Sequence, residues 1–197
     1  MRITPFLLVF GAFFMGSIPF GVLIASVRGV DLKKEGSGNI GATNVLRTMG
    51  KAPALLTLVG DVLKGTIPVL AAKYLLHNLT VEGIVGLFAI LGHNFSLFLR
   101  FRGGKGVATS IGVLLAISPY AAVATVVLWL AVISLTRYSS LGAIVSFGSL
   151  PLTVYLLDNS GEKLVVSFII AALLMIRHAD NIKRLIKGTE PRIGERA

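Results

Sequence analysis

The sequence predicts an all-α integral membrane protein with seven transmembrane helices, its N-terminus outside and its C-terminus in the cytoplasm. Of 197 residues, 54% are hydrophobic and only 14% are charged, a composition too apolar for an ordinary water-soluble domain. The apolar residues form runs close to the ~20 residues that a transmembrane helix needs. Basic residues lie between these runs, as orientation signals do. We expect a single transmembrane domain over residues 1–197.

Seven apolar segments are candidate transmembrane helices, at residues 4–27, 53–76, 82–99, 107–119, 120–136, 141–157 and 163–176. The first follows a single Arg2 and has no convincing small-residue cleavage site, so we expect a retained helix and not a signal peptide. The fourth is short, because about twelve helical residues reach only ~18 Å. We therefore expect the loop before it to sink to the level of the lipid headgroups.

The stretch 107–136 is open to two interpretations: one long tilted helix, or two short helices around the sequence SPYA at 118–121. Loops rich in Lys and Arg stay in the cytoplasm. Three segments carry most of the basic residues, at 28–51, 100–105 and 177–196. A single crossing by 107–136 would place the last segment opposite the other two, whereas two crossings place all three in the cytoplasm. The charge pattern therefore favours two helices and seven crossings.

The charge and the cysteine count exclude several classes of function. The formal net charge is +10, but the basic residues form neither one face nor a tail, so nucleic acid is not an expected partner. The chain has no cysteine, which excludes disulfides, thiolate nucleophiles and thiolate metal ligands. Its three histidines lack the helical spacing of metal ligands. We expect no metal and no cofactor.

Three polar segments share the predicted cytoplasmic face: GSGNIGATNVLR at 36–47, GHNFSLFLRFRGGKGVAT at 92–109 and RHADNIKRLIKGTEPRIGE at 177–195. Glycine lets backbone N–H groups turn toward an anion, and such nests bind phosphate when Lys or Arg is near. RGGKG is not a Walker A motif, since Gly106 replaces the expected hydroxyl residue. Each segment alone could be an ordinary loop whose charges set topology. Their convergence favours a site for phosphorylated substrates.

Together, in this order and in a chain of this length, these segments resemble the bacterial acyl-phosphate:glycerol-3-phosphate acyltransferases, the PlsY family. The resemblance covers essentially the whole chain. It implies acyl transfer from a fatty acyl phosphate to the sn-1 hydroxyl of glycerol 3-phosphate, which is the first acylation of phospholipid synthesis. It also implies the bacterial inner membrane as location, a cytoplasmic active site, membrane lipid as surroundings, and the soluble enzyme that forms acyl phosphate as a candidate partner.

The resemblance further implies roles for individual residues. Ser37 and Arg47 are expected to be needed for activity, and His178 and Asn181 match the catalytic pair of the family. Glu190 matches an acidic residue that is mainly structural. The residues expected to hold glycerol phosphate are Gly103, Gly104, Lys105 and Gly106.

The chemistry of the reaction agrees with these roles. An acyl phosphate is already activated, so the enzyme must hold two anions together and stabilise a tetrahedral oxyanion. Arg47 and Lys105 can neutralise the phosphates. Side-chain amides can donate hydrogen bonds to the substrates; we assign this role to Asn39, Asn44 and Asn181.

The proton acceptor stays open between three groups. His93 and His178 are candidates by their ordinary pKa, and we count His93 among the substrate contacts. The phosphate dianion of the acceptor, with a second pKa of about 6 by analogy with phosphorylated side chains, is the third candidate. A covalent acyl-Ser37 is disfavoured because no G-x-S-x-G elbow surrounds this serine.

Two further interpretations belong to other classes of protein. An anion transporter would place polar groups at the bilayer midplane and usually show an inverted repeat, and the sequence shows no convincing repeat. A lipid-binding scaffold explains the basic loops but not the Gly-Ser-Asn pattern. Asp61 and Lys64, three residues apart in the second span, can form an ion pair that is either functional or structural.

Overall fold

The computed structural model describes residues 3–194, and this part of the chain is helical, with no β-strand. Arg2 and Arg196, which entered the topology prediction, lie outside the described residues. A 3-10 turn, Leu97–Leu99, follows the fifth helix. The helices are α1 (Thr4–Ser17), α2 (Phe20–Ser26), α3 (Ala42–Met49), α4 (Lys51–Leu76), α5 (Leu79–Asn94), α6 (Val107–Ile117), α7 (Pro119–Thr136), α8 (Ser139–Gly148), α9 (Leu150–Leu157), α10 (Gly161–Arg177) and α11 (Ala179–Ile186).

Several of these helices are suited to crossing a membrane. Within residues 3–194, four helical segments are long and apolar enough to cross alone: α1 with α2, α4, α5 with its 3-10 turn, and α7. Two bent pairs, α8 with α9 and α10 with α11, raise the number to six if each counts as one span. Helix α6 has 11 residues and is only ~16 Å long. The fold is that of a multi-pass membrane protein, while seven crossings and the orientation of the termini stay predictions.

The stretch 107–136 forms two helices, as the charge pattern predicted. Helix α6 ends at Ile117, Ser118 is extended, and α7 begins with Pro119 at its first position. Proline is tolerated there because the first N–H groups of a helix have no intrahelical partner. The Ser118 hydroxyl donates a hydrogen bond to the Asp158 carboxylate in the turn before α10, which ties the break to the neighbouring helix.

The predicted span at 4–27 is confirmed as one apolar segment, Thr4–Ser26, but an interruption of its helix was not predicted. Helix α1 ends at Ser17 and α2 begins at Phe20, with Pro19 between them. Proline has no N–H and disfavours the helical conformation of the residue before it. Ile18 accordingly has a ψ of 117°. Its carbonyl accepts a hydrogen bond of 2.8 Å from Nζ of Lys64 in α4.

The sixth span and the first polar segment also differ from the prediction. The predicted helix at 141–157 is bent by 46° between α8 and α9, next to Pro151 at the start of α9. The segment 36–47, predicted as a polar loop, ends in helix α3, which begins at Ala42. This short helix carries the last part of the motif into the interior of the protein.

Glycines allow the helices that carry the second polar segment to pack closely. A Cβ built on Gly16 of α1 would lie 2.1 Å from the carbonyl oxygen of Ala89, and one on Gly92 of α5 would lie 2.2 Å from that of Phe13. Helix α4 packs against α5 and α6 around buried side chains that include Val69. This packing fixes the C-terminal end of α5 beside the N-terminal end of α6.

Cysteine scanning tests the predicted topology, since the natural chain has no cysteine. Lys33, Glu162 and Lys187 are all exposed. We expect single cysteines at Lys33 and Lys187 to be protected from an impermeant thiol reagent in intact cells, and one at Glu162 to be labelled. Permeabilised cells should label all three, which controls for accessibility. Labelling of all three in intact cells would contradict the arrangement.

Candidate active site

The loop of the first polar segment folds around the side chain of Asn44, which is 1% exposed. Its Nδ2 donates to the carbonyls of Leu32, Glu35 and Asn39 at 3.2, 3.1 and 2.8 Å. Its Oδ1 accepts the N–H of Ser37 at 2.8 Å. Because the loop uses both polar atoms of the amide, Asn44 shapes this loop. The geometry gives no support to its predicted role as a donor to substrate.

Helix α3 directs Arg47 toward the third polar segment. The side chain is half-buried, and its Nη2 donates to the carbonyl of Pro191 at 3.0 Å. The first and third segments, 144 residues apart, therefore meet at this guanidinium. Asn39, also half-buried, lies beside the same cavity as Arg47.

The glycines of RGGKG are held by backbone hydrogen bonds and do not form the predicted nest. The N–H of Gly103 donates to the carbonyl of Asn94 at 3.2 Å, and the N–H of Gly104 to that of His93 at 3.0 Å. On the opposite side, the Arg177 guanidinium donates to both glycine carbonyls, at 2.9 to 3.1 Å. The two N–H groups expected to meet a phosphate are thus already used within the protein.

A helix N-terminus takes the place of that nest. Gly106 has a φ of 90°, in the left-handed region that favours glycine, and α6 begins at the next residue. Gly106, Val107 and Ala108 line the cavity together with Lys105. The first N–H groups of a helix have no intrahelical acceptor and carry partial positive charge, which suits an anion. A phosphate can therefore bind between this helix end and the lysine.

Lys105 begins a chain of hydrogen bonds that connects the second and third polar segments. Its Nζ donates to Oδ1 of Asn181 at 2.6 Å, and Nδ2 of Asn181 donates to Oε1 of Glu190 at 2.7 Å. Ser140 donates to the same carboxylate oxygen at 2.6 Å, and Nε of Arg184 donates to Oε2 at 2.7 Å. Glu190 therefore anchors a network that ends at the lysine ammonium.

Several positively charged side chains lie close to this network. Burial, with the nearby positive charges of Arg184, Arg47 and Arg177, lowers the pKa of Lys105 to about 8, although the charge of Glu190 opposes this shift. Burial alone would raise the pKa of Glu190, but its hydrogen bonds outweigh that effect and lower it. Lys105 thus lies within reach of the positive charges of three arginines, and a cluster of cations of this kind attracts a dianion.

His178 lies at the junction of α10 and α11 and is 2% exposed. Its Nδ1 is 2.8 Å from the carbonyl of Leu174. A carbonyl can only accept, so Nδ1 carries the proton and Nε2 keeps its lone pair in the neutral ring. His178 lines the cavity and is therefore suited to receive a proton or to orient a hydroxyl group.

These elements enclose one cavity of about 500 Å³. Its lining includes the polar groups described above and an apolar wall from α4, α6, α7 and α8, formed by Leu55, Leu58, Val62, Ile111, Val126 and Phe147. Leu55 and Leu58 are 60% and 41% exposed, so the wall continues to the outer surface of the helices. The cavity joins a cationic end to an apolar channel.

The predicted site residues are brought together with two exceptions. Gly103 and Gly104 lie behind the lining, while the residues that line the cavity are Ser37, Asn39, Asn44, Arg47, His93, Lys105, Gly106, His178 and Asn181. Asp61 also lines it, and its carboxylate forms an ion pair of 2.7 Å with Lys64. The sequence reasoning missed Arg177, although its position directly before His178 in the third segment was a usable signal.

No cluster of three or more metal-ligating side chains occurs in the part of the chain that the structure describes. The groups at the cavity are cations, amides, hydroxyls, the imidazoles of His93 and His178, and the carboxylates of Asp61 and Glu190.

Comparison with known proteins gives consistent matches over the whole chain. The sequence profile of a family described as glycerol-3-phosphate acyltransferase matches residues 6–188. A glycerol-3-phosphate acyltransferase from Trichlorobacter lovleyi is 47% identical over 180 residues, which are 91% of this chain and 93% of that protein.

The structure is also similar to crystal structures of PlsY, described as an integral membrane glycerol 3-phosphate acyltransferase. For its glycerol 3-phosphate form, the TM-score is 0.93 and the identity 41%, over 97% of this chain and 96% of that chain. For its lysophosphatidic acid form, the TM-score is 0.91 and the identity 40%, with the same coverage.

Proposed function

Because the chain belongs to the glycerol-3-phosphate acyltransferase family, we propose that it transfers a fatty acyl group from acyl phosphate to the sn-1 hydroxyl of glycerol 3-phosphate. The products are 1-acylglycerol 3-phosphate and inorganic phosphate. The observation that carries this proposal is the single cavity in which a cationic end joins an apolar channel. Such a cavity suits one water-soluble phosphate ester and one activated lipid.

The phosphate of the acceptor binds at the cationic end. Lys105, the N-terminus of α6 and Arg47 all line this end of the cavity. Arg47 offers bidentate geometry to phosphate oxygens, whereas Lys105 acts as a point charge. The dianion binds through its attraction to these positive charges.

The acyl chain of the donor lies along the apolar wall. Burying each CH₂ group stabilises the complex by about 0.8 kcal/mol, so the wall can hold a lipid donor that enters from the bilayer. The acyl phosphate headgroup then lies at the polar end, within reach of the acceptor. Proximity of this kind is the first requirement of a reaction between two bound anions.

The transfer needs no covalent enzyme intermediate. The acceptor hydroxyl oxygen forms a bond to the acyl carbonyl carbon, the carbon–oxygen bond to phosphate breaks, and phosphate leaves with the electron pair. The Ser37 hydroxyl and the second N–H of Asn181 Nδ2, whose first N–H donates to Glu190, stabilise the tetrahedral oxyanion. The hydroxyl proton goes to Nε2 of His178 or to the acceptor's own phosphate. His93 is a weaker candidate, since its Nε2 packs against Gly104.

The proposed location follows from the substrates. Glycerol 3-phosphate is water-soluble, whereas the acyl donor partitions into lipid. We place the cationic end of the cavity at the cytoplasmic face of a bacterial inner membrane, where the basic loops are predicted to lie. The soluble enzyme that supplies acyl phosphate is then a candidate partner at this face.

A direct assay tests the proposal. Purified protein in detergent receives labelled glycerol 3-phosphate with either acyl phosphate or acyl-CoA of the same chain length. We expect lysophosphatidic acid and phosphate in equal amounts from acyl phosphate, and no product from acyl-CoA. Product from acyl-CoA alone would overturn the donor assignment. Absence of product from both donors, with protein that remains folded, would overturn the proposed reaction and favour an anion transporter.

A further inference from the structure

A buried ion pair in α4 has no role in the reaction proposed above. Asp61 and Lys64 are each 2% exposed, and the distance between the carboxylate and Nζ is 2.7 Å. Lys64 also donates to the carbonyl of Ile18 at the break between α1 and α2. Buried charges within a membrane protein are costly and are commonly functional. The pair is therefore a candidate for a functional role.

The Asp61 carboxylate has a second neighbour, the imidazole of His93. Its Oδ1 is 3.7 Å from Nδ1 of His93, which is 4% exposed. Within residues 3–194, Nδ1 has no hydrogen-bond partner. A buried carboxylate beside Nδ1 favours the tautomer with the proton on that nitrogen. Nδ1 is thus the ring nitrogen next to Asp61, and Nε2 is the one next to Gly104.

The opposite edge of the His93 ring packs against the loop at 103–106. A Cβ built on Gly104 would lie 2.2 Å from Nε2, so the imidazole fills the space that the glycine leaves. The backbone adds a second link, since the His93 carbonyl accepts the N–H of Gly104. Arg177 holds the carbonyl of the same glycine from the other side. Gly104 is thus clamped, and Lys105 is the next residue.

From this geometry we infer that Asp61 and His93 are positioning residues, which fix the loop at 103–106 so that Lys105 reaches the acceptor phosphate. The inference rests on the proposed function. Asp61, paired with Lys64, orients the imidazole, and the imidazole sets where Gly104 lies. A displacement of the loop by about 1 Å would change the reach of Lys105, and misplacements of that size cost up to ~10²-fold in rate.

A double-mutant cycle tests the contact between His93 and Gly104. The φ of Gly104 is not in the left-handed region, so alanine fits the backbone, and the three atoms nearest to its methyl group all belong to the imidazole of His93. We expect Gly104→Ala and His93→Ala each to raise the KM for glycerol 3-phosphate by roughly 10- to 10²-fold. In the double variant, the methyl group enters the space left by the ring. Its KM should therefore be no higher than that of His93→Ala alone.

A purely structural role predicts a different result. The variants would then yield less folded protein, but the folded fraction would keep a normal KM for glycerol 3-phosphate. The KM for acyl phosphate is the internal control and should change by less than about threefold. If His93→Ala does not fold, His93→Asn replaces it in the cycle. Two results would overturn the inference. One is a normal KM for glycerol 3-phosphate in the single variants. The other is a KM in the double variant that is raised by the product of the two single increases.

A second pair of variants tests Asp61. Asp61→Asn leaves Lys64 buried without its carboxylate, whereas Asp61→Asn with Lys64→Gln removes both charges together. We expect both to raise the KM for glycerol 3-phosphate, by less than His93→Ala does, with kcat nearly unchanged. Unchanged KM values in folded protein would remove Asp61 from the proposal. Inactive wild-type protein would instead contradict the proposed function itself, so the two failures are distinguishable.

Discussion

Replacing Lys105 with methionine is expected to lower kcat/KM for glycerol 3-phosphate by roughly 10²- to 10³-fold, the loss typical for one preorganised donor to a charged transition state. Methionine keeps an unbranched stem but removes the ammonium that lies 2.6 Å from Asn181. Arg47 would remain as a cation at the cavity. Lys183→Met is the matched control, because Lys183 is an exposed lysine in α11, the helix that carries Asn181. We expect it to be nearly neutral.

The pH profile identifies Lys105 as the group responsible. Burial lowers its pKa to about 8, so the fraction that carries a charge falls as the pH rises through that value. For the wild-type protein, kcat/KM should therefore decline above about pH 8, while the substrate phosphate, with a second pKa of about 6, stays a dianion. Lys105→Met should lack this decline, and so should Lys105→Arg, whose charge persists. If kcat/KM of either variant still declines above about pH 8, the decline belongs to a group other than Lys105.

The helical class and the positions of the helices could be predicted from the sequence because apolar runs and charged gaps are local signals. The break at Ser118 was predicted correctly from the distribution of Lys and Arg. The break at Pro19 was not, because proline inside an apolar run either kinks a helix or ends it, depending on its surroundings. Here Lys64, 46 residues away, contacts the carbonyl at the break, and no local pattern reveals that contact.

The residues of the site were found more reliably than their contacts. The three segments were expected to meet, and residues from all three line one cavity. The RGGKG glycines were expected to bind phosphate through their N–H groups, but the carbonyls of His93 and Asn94 take those bonds. In the same way, the side-chain amide of Asn44 is hydrogen-bonded within its own loop. The sequence shows that these donors need acceptors, but it does not show whether the acceptor belongs to the protein or to a substrate, because the fold determines the partner.

Replacing His178 with glutamine is the second substitution with a large expected effect. The side chain of His178 is held by Leu174 through Nδ1, so the variant loses the nitrogen that faces the cavity. We expect kcat to fall by about 10²-fold, at the lower end of the ~10²- to 10⁴-fold typical of lost acid–base catalysis, with substrate binding little changed. The KM values for both substrates at pH 7 test whether binding is intact.

The residual activity of His178→Gln distinguishes between the two proton acceptors. A dianion beside the acceptor hydroxyl is already present, so we expect the acceptor's phosphate to take the proton and His178 to orient the hydroxyl. The nearby Arg47 and Lys105 lower the pKa of that phosphate. The fraction of phosphate that is a dianion still increases as the pH rises. Residual kcat at saturating substrates should therefore rise with pH between about pH 5 and about pH 8, with a midpoint at or below the second phosphate pKa of about 6. A variant that binds both substrates but is inactive at every pH would instead make Nε2 of His178 the proton acceptor.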